Sequence, residues 1–210
     1  MVATTYFLGS IPTGYLAGRV RGIDIRGAGS GNIGATNVFR ILGKPAGIFV
    51  LLADVAKGAL ACTVVVRAVV QWSALTVDPS DTESIALAAG VAAILGHNYP
   101  CWLKFKGGKG IATSAGVLGA IVPLGFVASA AVWLIVFTAS RYVSLASICA
   151  AVVLPFGVWL TGSSGQMVLI TAGLGALAIF KHRSNIGRLM EGTENRVGSK
   201  KNAGESTTGE

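Results

Sequence analysis

Charge is scarce in this chain. Asp, Glu, Lys and Arg make up 12% of its 210 residues, against 52% hydrophobic ones. A soluble domain carries about 25% charged residues, so this supply cannot cover a water-facing surface. That excludes an ordinary soluble α/β enzyme, and the apolar content excludes a disordered chain. Acidic residues are the scarcer sign, 9 against 17 Lys and Arg, for a net charge of +8. Cysteine is limited to Cys62, Cys101 and Cys149, placed singly in or beside apolar runs. An odd count at these spacings fits neither a disulfide framework nor a zinc site, so the three read as small apolar fillers. No Lys or Arg precedes the first apolar run, and no A-x-A site stands near residue 20. The N-terminus therefore reads as a retained span and not as a cleaved signal peptide.

What is plentiful is long apolar sequence, in runs at 1–18, 46–72, 84–103, 111–139, 143–161 and 165–180. Runs of this length read as membrane helices, which makes the chain an all-α integral membrane protein. Positive charge sets its orientation. Segment 19–45 holds Arg19, Arg21, Arg26, Arg40 and Lys44, and belongs in the cytoplasm. Segment 73–83, with Asp78, Asp81 and Glu83 and no basic residue, belongs outside. Segment 104–110 and the tail from Lys181, with Arg183, Arg188, Arg196, Lys200 and Lys201, belong inside again. Six spans would put the tail on the wrong side. The run 111–139 is about 44 Å long at ~1.5 Å per residue, too long for one span of a ~30 Å core, and Pro123 and Gly125 can break it. Division into about 111–122 and 124–139 gives seven transmembrane helices, some short or broken, with the N-terminus outside and the C-terminus cytoplasmic. Residues 1–195 then form one membrane domain. The stretch 196–210 is a polar tail with nothing to bury, expected to be mobile.

The polar signals fall on the inferred cytoplasmic side. They are Gly9-Ser10-Ile11-Pro12-Thr13-Gly14-Tyr15; Gly27-Ala28-Gly29-Ser30-Gly31-Asn32-Ile33-Gly34-Ala35-Thr36-Asn37 with Arg40 and Lys44; Gly96-His97-Asn98-Tyr99-Pro100 with Phe105-Lys106-Gly107-Gly108-Lys109-Gly110; and His182-Arg183-Ser184-Asn185-Ile186-Gly187-Arg188. Glycine lets backbone N–H groups turn toward one point. Such groups with Lys or Arg beside them make a phosphate site. The plainer alternative makes the glycines loop punctuation and the cations topology signals. Two such loops and a His/Asn/Arg cluster on one face favour the anion site.

Other patterns lead nowhere. Gly29-x-Gly31-x-x-Gly34, with Asp54 20 residues on, matches a dinucleotide fingerprint. That fingerprint needs a strand and a βαβ unit, and here a hydrophobic helix follows. Gly107-Gly108-Lys109-Gly110 lacks the Walker A spacing. Asp54 and Lys57 stand three apart inside an apolar run. Lone charges there cost about 2.5–3.5 kcal/mol each, so the two are expected to pair toward the bundle interior, for structure or for function. His97 is either a satisfied structural histidine or a catalytic one. His182, flanked by Lys181 and Arg183, suits a neutral imidazole that accepts a proton or hydrogen bond. A carboxylate dyad is not expected, since only Asp24, Glu191 and Glu194 precede the tail on this side.

Ser10-Ile11-Pro12-x-x-Tyr15, Gly29-Ser30-Gly31-Asn32-x-Gly34-Ala35-Thr36-Asn37, and Gly96-His97-x-x-Pro100 with Phe105 to Gly110 together resemble the cytoplasmic motifs of the PlsY family, bacterial acyl-phosphate:glycerol-3-phosphate acyltransferases. His182-Arg183-x-Asn185-Ile186-x-Arg188-Leu189 and Leu52-Ala53-Asp54-x-x-Lys57-Gly58 resemble it too, so the likeness covers about residues 7–195. It implies an inner-membrane enzyme that moves an acyl chain from acyl phosphate to the sn-1 hydroxyl of glycerol 3-phosphate, the first acylation of phospholipid synthesis. It implies no cofactor, no metal and no nucleic-acid partner, and a single chain among membrane lipid.

On that resemblance, Arg40, Lys104 and the amides around Ser30, Gly31 and Asn32 hold one phosphate. Lys106, Lys109 and the glycines around Gly108 hold the other or shape the loop. Ser10, Asn37, His182 and Asn185 orient the hydroxyl and the acyl carbonyl, with Thr36 and His97 as further substrate contacts; the hydroxyl proton goes to a phosphate oxygen of the donor, or to His182 as the rival base. The rival reading is a transporter of a small organic phosphate, against which the acidic outer loop counts.

Overall fold

The structure is a computed structural model and describes residues 1–72 and 79–198. The expectations for residues 73–78 and 199–210 lie outside the described residues. All the long elements are helices: α1 Val2–Gly9, α2 Thr13–Val20, α3 Ala35–Leu42, α4 Lys44–Leu60, α5 Val66–Trp72, α6 Pro79–Asn98, α7 Ile111–Ile121, α8 Pro123–Ser140, α9 Val143–Leu160, α10 Gly165–Lys181 and α11 Arg183–Met190. A π-type turn at Ala61–Val65 joins α4 to α5 into one rod, Lys44–Trp72.

Proline punctuates the apolar runs, because it lacks the N–H that would continue a helix and restricts the residue before it. The run 111–139 breaks at Val122, just before Pro123, as expected. The run 1–18 is not one continuous helix. It breaks at Ser10–Pro12 into α1 and α2, each of eight residues. An eight-residue helix is only ~12 Å long and cannot cross a bilayer alone. Among the described residues, Lys44–Trp72, α8 and α9 are long and apolar enough to do so, and α10 with α11, bent by 56°, is a fourth candidate.

Polar side chains share the interior with apolar clusters, and large apolar side chains also cover the outside. Thr5, Ser10, Asp54, Lys57, His97, Asn98 and Thr113 are buried, while Phe49, Leu124, Ile135, Phe156 and Leu160 are exposed. This arrangement suits a solvent of lipid tails, where association rests on close packing of small residues and internal polar pairs. α8 lies along α9, α4 along α7, α1 along α6, and α10 along α9. The α4–α7 crossing is glycine-lined: a Cβ on Gly116 would overlap the carbonyl of Val55, and one on Gly58 the carbonyl of Thr113. Gly116→Val is therefore expected to destabilise the protein by about 1–3 kcal/mol or more. A thermal midpoint in detergent equal to wild type would contradict the tight crossing.

Asp54 and Lys57 pair as their spacing predicts, at 2.8 Å and both buried. The three cysteines are free thiols.

Candidate active site

The loop before α3 is built around one buried side chain. Gly29 and Gly31 take left-handed φ values of 60° and 70°, and a Cβ on Gly29 would overlap Asn37 Oδ1. Asn37 is 2% exposed. Its Oδ1 accepts from Ser30 N at 2.9 Å, and its Nδ2 donates to Ala28 O and Asn32 O at 3.0 Å and to Ile25 O at 3.3 Å. Asn32 closes the turn by accepting from Gly34 N at 2.7 Å. Both side chains are spent on the loop itself, which leaves Ser30 and Gly31 at its exposed tip.

The third motif folds back on the end of α6. Gly107 N donates to Asn98 O at 3.2 Å and Gly108 N to His97 O at 3.1 Å. A Cβ on Gly108 would collide with the His97 ring, so glycine here permits close packing and does not face a ligand. The fold-back aims Lys109 at the fourth motif, where its ammonium donates to Asn185 Oδ1. Asn185 Nδ2 donates to Glu194 Oε1 at 2.7 Å. Glu194 also accepts from Ser144 Oγ at 2.8 Å and from Arg188 Nε at 2.7 Å. Lys181 donates to Asn98 O at 3.1 Å and stands 4.4 Å over the Tyr99 ring. His182 Nδ1 lies 2.7 Å from Ala178 O, a pure acceptor, so Nδ1 carries the proton and Nε2 is left as the acceptor.

These three segments enclose one cleft of about 220 Å³, lined by Ser30, Gly31, Asn32, Gly107, Lys109, Lys181, Arg183, Ser184 and Arg188. Four of those side chains are cations, and the lining holds no carboxylate. Burial, with the positive neighbours Arg188, Arg40 and Lys181, pushes the Lys109 ammonium down to about 8, against Glu194 acting the other way. Burial would raise the Glu194 carboxyl, but hydrogen bonds from Asn185, Arg188 and Ser144 outweigh it and hold the group below its ordinary value. The result is a strongly positive cleft beside peptide N–H groups, a combination suited to a phosphorylated anion. The family model for glycerol-3-phosphate acyltransferases matches residues 1–192. The chain belongs to that family.

Its relatives span the same length. A glycerol-3-phosphate acyltransferase of Geotalea daltonii is 45% identical over 195 residues, covering 93% of this chain and 95% of that one. The Desulforudis audaxviator one is 45% identical over 202 residues, 96% of each. The crystal structure of PlsY (YgiH), an integral membrane glycerol 3-phosphate acyltransferase, in its glycerol 3-phosphate form matches with a TM-score of 0.84 at 39% identity over 94% of both chains. Its lysophosphatidic acid form gives 0.80 at 38%, over 93% of this chain and 92% of that one.

Within this acyltransferase the expected site residues separate into groups. Ser30, Gly31, Asn32 and Lys109 line the cleft. Asn185 and His182 are buried beside Lys109. Arg40, at the edge of α3, reaches Asn37 Oδ1 at 3.4 Å, and Thr36 is exposed on the first turn of α3. Ser10 is sealed off with no exposed surface, and His97 is 5% exposed beside Asp54, so neither is placed to touch a ligand in the cleft. Lys104 does not join Arg40. It lines a separate hollow of about 530 Å³ with Ile11, Pro12, Tyr15, Leu16, Arg26, Trp102 and Leu103. Lys106 is exposed and lines neither. The reason is local: Lys104 and Phe105 take left-handed φ values of 53° and 60°, and the turn re-aims the side chains on either side of it.

Arg183 and Arg188 belong to the fourth motif, His182 to Arg188, while Lys181, which counts in the sequence only as a topology charge, lines the cleft beside them. The three-residue spacing of Asn185 and Arg188 on α11 is a sign that they share a face, whereas Lys181 ends α10 on the other side of a 56° bend and gives no such sign. Glu194 carried no such sign.

The titration of Lys109 sets an expectation. Its charge is present below about pH 8 and lost above, so kcat/KM for an anionic substrate falls as pH rises through that value. Lys109→Arg should carry the falling limb upward, because a guanidinium keeps its charge. A limb unmoved by that substitution would assign it elsewhere.

Proposed function

We propose that the chain transfers a fatty acyl group from acyl phosphate to the sn-1 hydroxyl of glycerol 3-phosphate, releasing lysophosphatidic acid and phosphate. The observation that carries this reading is the cation-lined cleft formed by Ser30–Asn32, Lys109, Lys181, Arg183 and Arg188. Both substrates are phosphorylated, and their charges repel. The donor is a mixed anhydride and already activated, so the protein's work is to hold two anions together and steady the charge that develops on the carbonyl oxygen and departing phosphate. The glycerol oxygen bonds to the acyl carbon, the carbon–oxygen bond to phosphate breaks, and the hydroxyl proton passes to a phosphate oxygen of the donor. Lys109 and the Ser30 loop grip phosphate, Arg40 adds charge at the edge, and His182 and Asn185 hold Lys109 in place.

In this reading the chain works alone in the bacterial cytoplasmic membrane. Seven spans place the N-terminus outside and the cleft against the cytoplasm, where glycerol 3-phosphate is water-borne and the acyl chain lies in lipid. The test mixes purified protein in detergent with an acyl phosphate and labelled glycerol 3-phosphate. Phosphate and lysophosphatidic acid are expected in equal amounts. Phosphate release without lysophosphatidic acid would overturn the proposal.

A further inference from the structure

A second polar cluster lies inside the bundle, and none of its side chains lines the cleft. Asp54 Oδ1 accepts from Thr13 Oγ1 at 2.6 Å and from Lys57 Nζ at 2.8 Å, and it stands 3.6 Å from His97 Nδ1. Lys57 Nζ also donates to Ile11 O at 3.0 Å. One carboxylate on α4 thus ties down the break between α1 and α2 and faces the end of α6. From His97 the contacts run outward. Its carbonyl accepts from Gly108 N, its ring fills the space a Gly108 Cβ would need, and the next carbonyl, Asn98 O, accepts from both Gly107 N and Lys181 Nζ. Lys109 and Lys181 are the two lysines of the cleft.

We propose that Asp54 is a positioning residue for phosphate binding: through His97 it sets the depth of the Gly107–Gly108 turn and so the reach of Lys109 and Lys181. Stability alone is a weak reason for a charge pair buried among apolar helices, because well-packed apolar residues of similar size often hold a fold as well. The inference rests on the acyltransferase reading above.

The test compares wild type with the double variant Asp54→Asn/Lys57→Met. The double change removes both buried charges together and leaves neither unpaired. Lys109 also faces Arg40 from α3, Lys181 from α10, His182, Arg188 from α11, and Glu194, and none of these is altered. If Asp54 positions the turn, KM for glycerol 3-phosphate rises about tenfold or more with kcat changed far less. The falling limb near pH 8 moves upward, as Lys109 swings toward water and its ordinary titration. A loss of kcat alone, or an unmoved limb and KM, overturns the proposal. Should the double variant fail to accumulate as folded protein, Thr13→Val carries the test. It deletes one donor at constant shape, and KM should rise by a smaller factor in the same direction; an unchanged KM overturns the proposal. Wild-type protein that makes no lysophosphatidic acid would instead sink the acyltransferase reading, so the two failures are distinguishable.

Discussion

Replacing Asn37 by Ala should lower kcat/KM for glycerol 3-phosphate by a factor of about 10³ or more. The side chain makes four hydrogen bonds to the backbone of the loop that presents Ser30 and Gly31. Losing it leaves buried peptide groups unpaired at about 1–3 kcal/mol each. Two of them already amount to about 4 kcal/mol, or roughly three powers of ten. Asn37→Asp separates this account from a direct contact with substrate. It keeps the acceptor for Ser30 N but turns three donated bonds into oxygen facing oxygen, so it should be as damaging as Ala. Near wild-type turnover by Asn37→Asp would contradict the clamp.

Lys109→Met is the second large effect. Methionine keeps the length and apolar stem of the side chain and removes only the charge. The lost ammonium lines the cleft from a half-buried position, and its loss leaves Asn185 Oδ1 without its donor. Truncating one side of a desolvated charge pair costs about 2–5 kcal/mol, so kcat/KM should fall by a factor of about 10² or more, mainly through KM. Initial rates across glycerol 3-phosphate concentration measure this directly. A KM within twofold of wild type would remove Lys109 from the site.

Some of this was legible because the signal is local. Pro123 lacks an N–H whatever surrounds it, and the run 111–139 breaks beside it. Asp54 and Lys57 lie one helical turn apart, so burying either demands the other. The glycine spacing around Ser30 announces a turn of exposed amides. What was not legible depends on where distant segments return. Pro12 divides the first apolar run as firmly as Pro123 divides the later one, but at 18 residues that run has the length of one span and gives no cause to divide it. Lys104, Lys106 and Lys109 share one short loop, and only its left-handed turn at Lys104–Phe105 decides that Lys109 alone reaches the cleft. Glu194 stands among polar tail residues and offers no pattern. It enters the site because the chain after α11 turns back over α9, where Ser144 and Asn185 meet it. Beyond it Arg196 and Val197 bond to backbone carbonyls of Ser140 and Arg141.

The central claim is that phosphate is held where the Ser30 loop, Lys109 and the Lys181–Arg188 segment meet. Equilibrium binding of labelled glycerol 3-phosphate to purified protein tests it most directly, with Lys109→Met compared against Lys106→Met. Binding should weaken about a hundredfold or more in the first variant and remain at wild-type strength in the second, whose lysine lies outside the cleft. Wild-type binding by Lys109→Met, with binding lost in Lys106→Met, would contradict it.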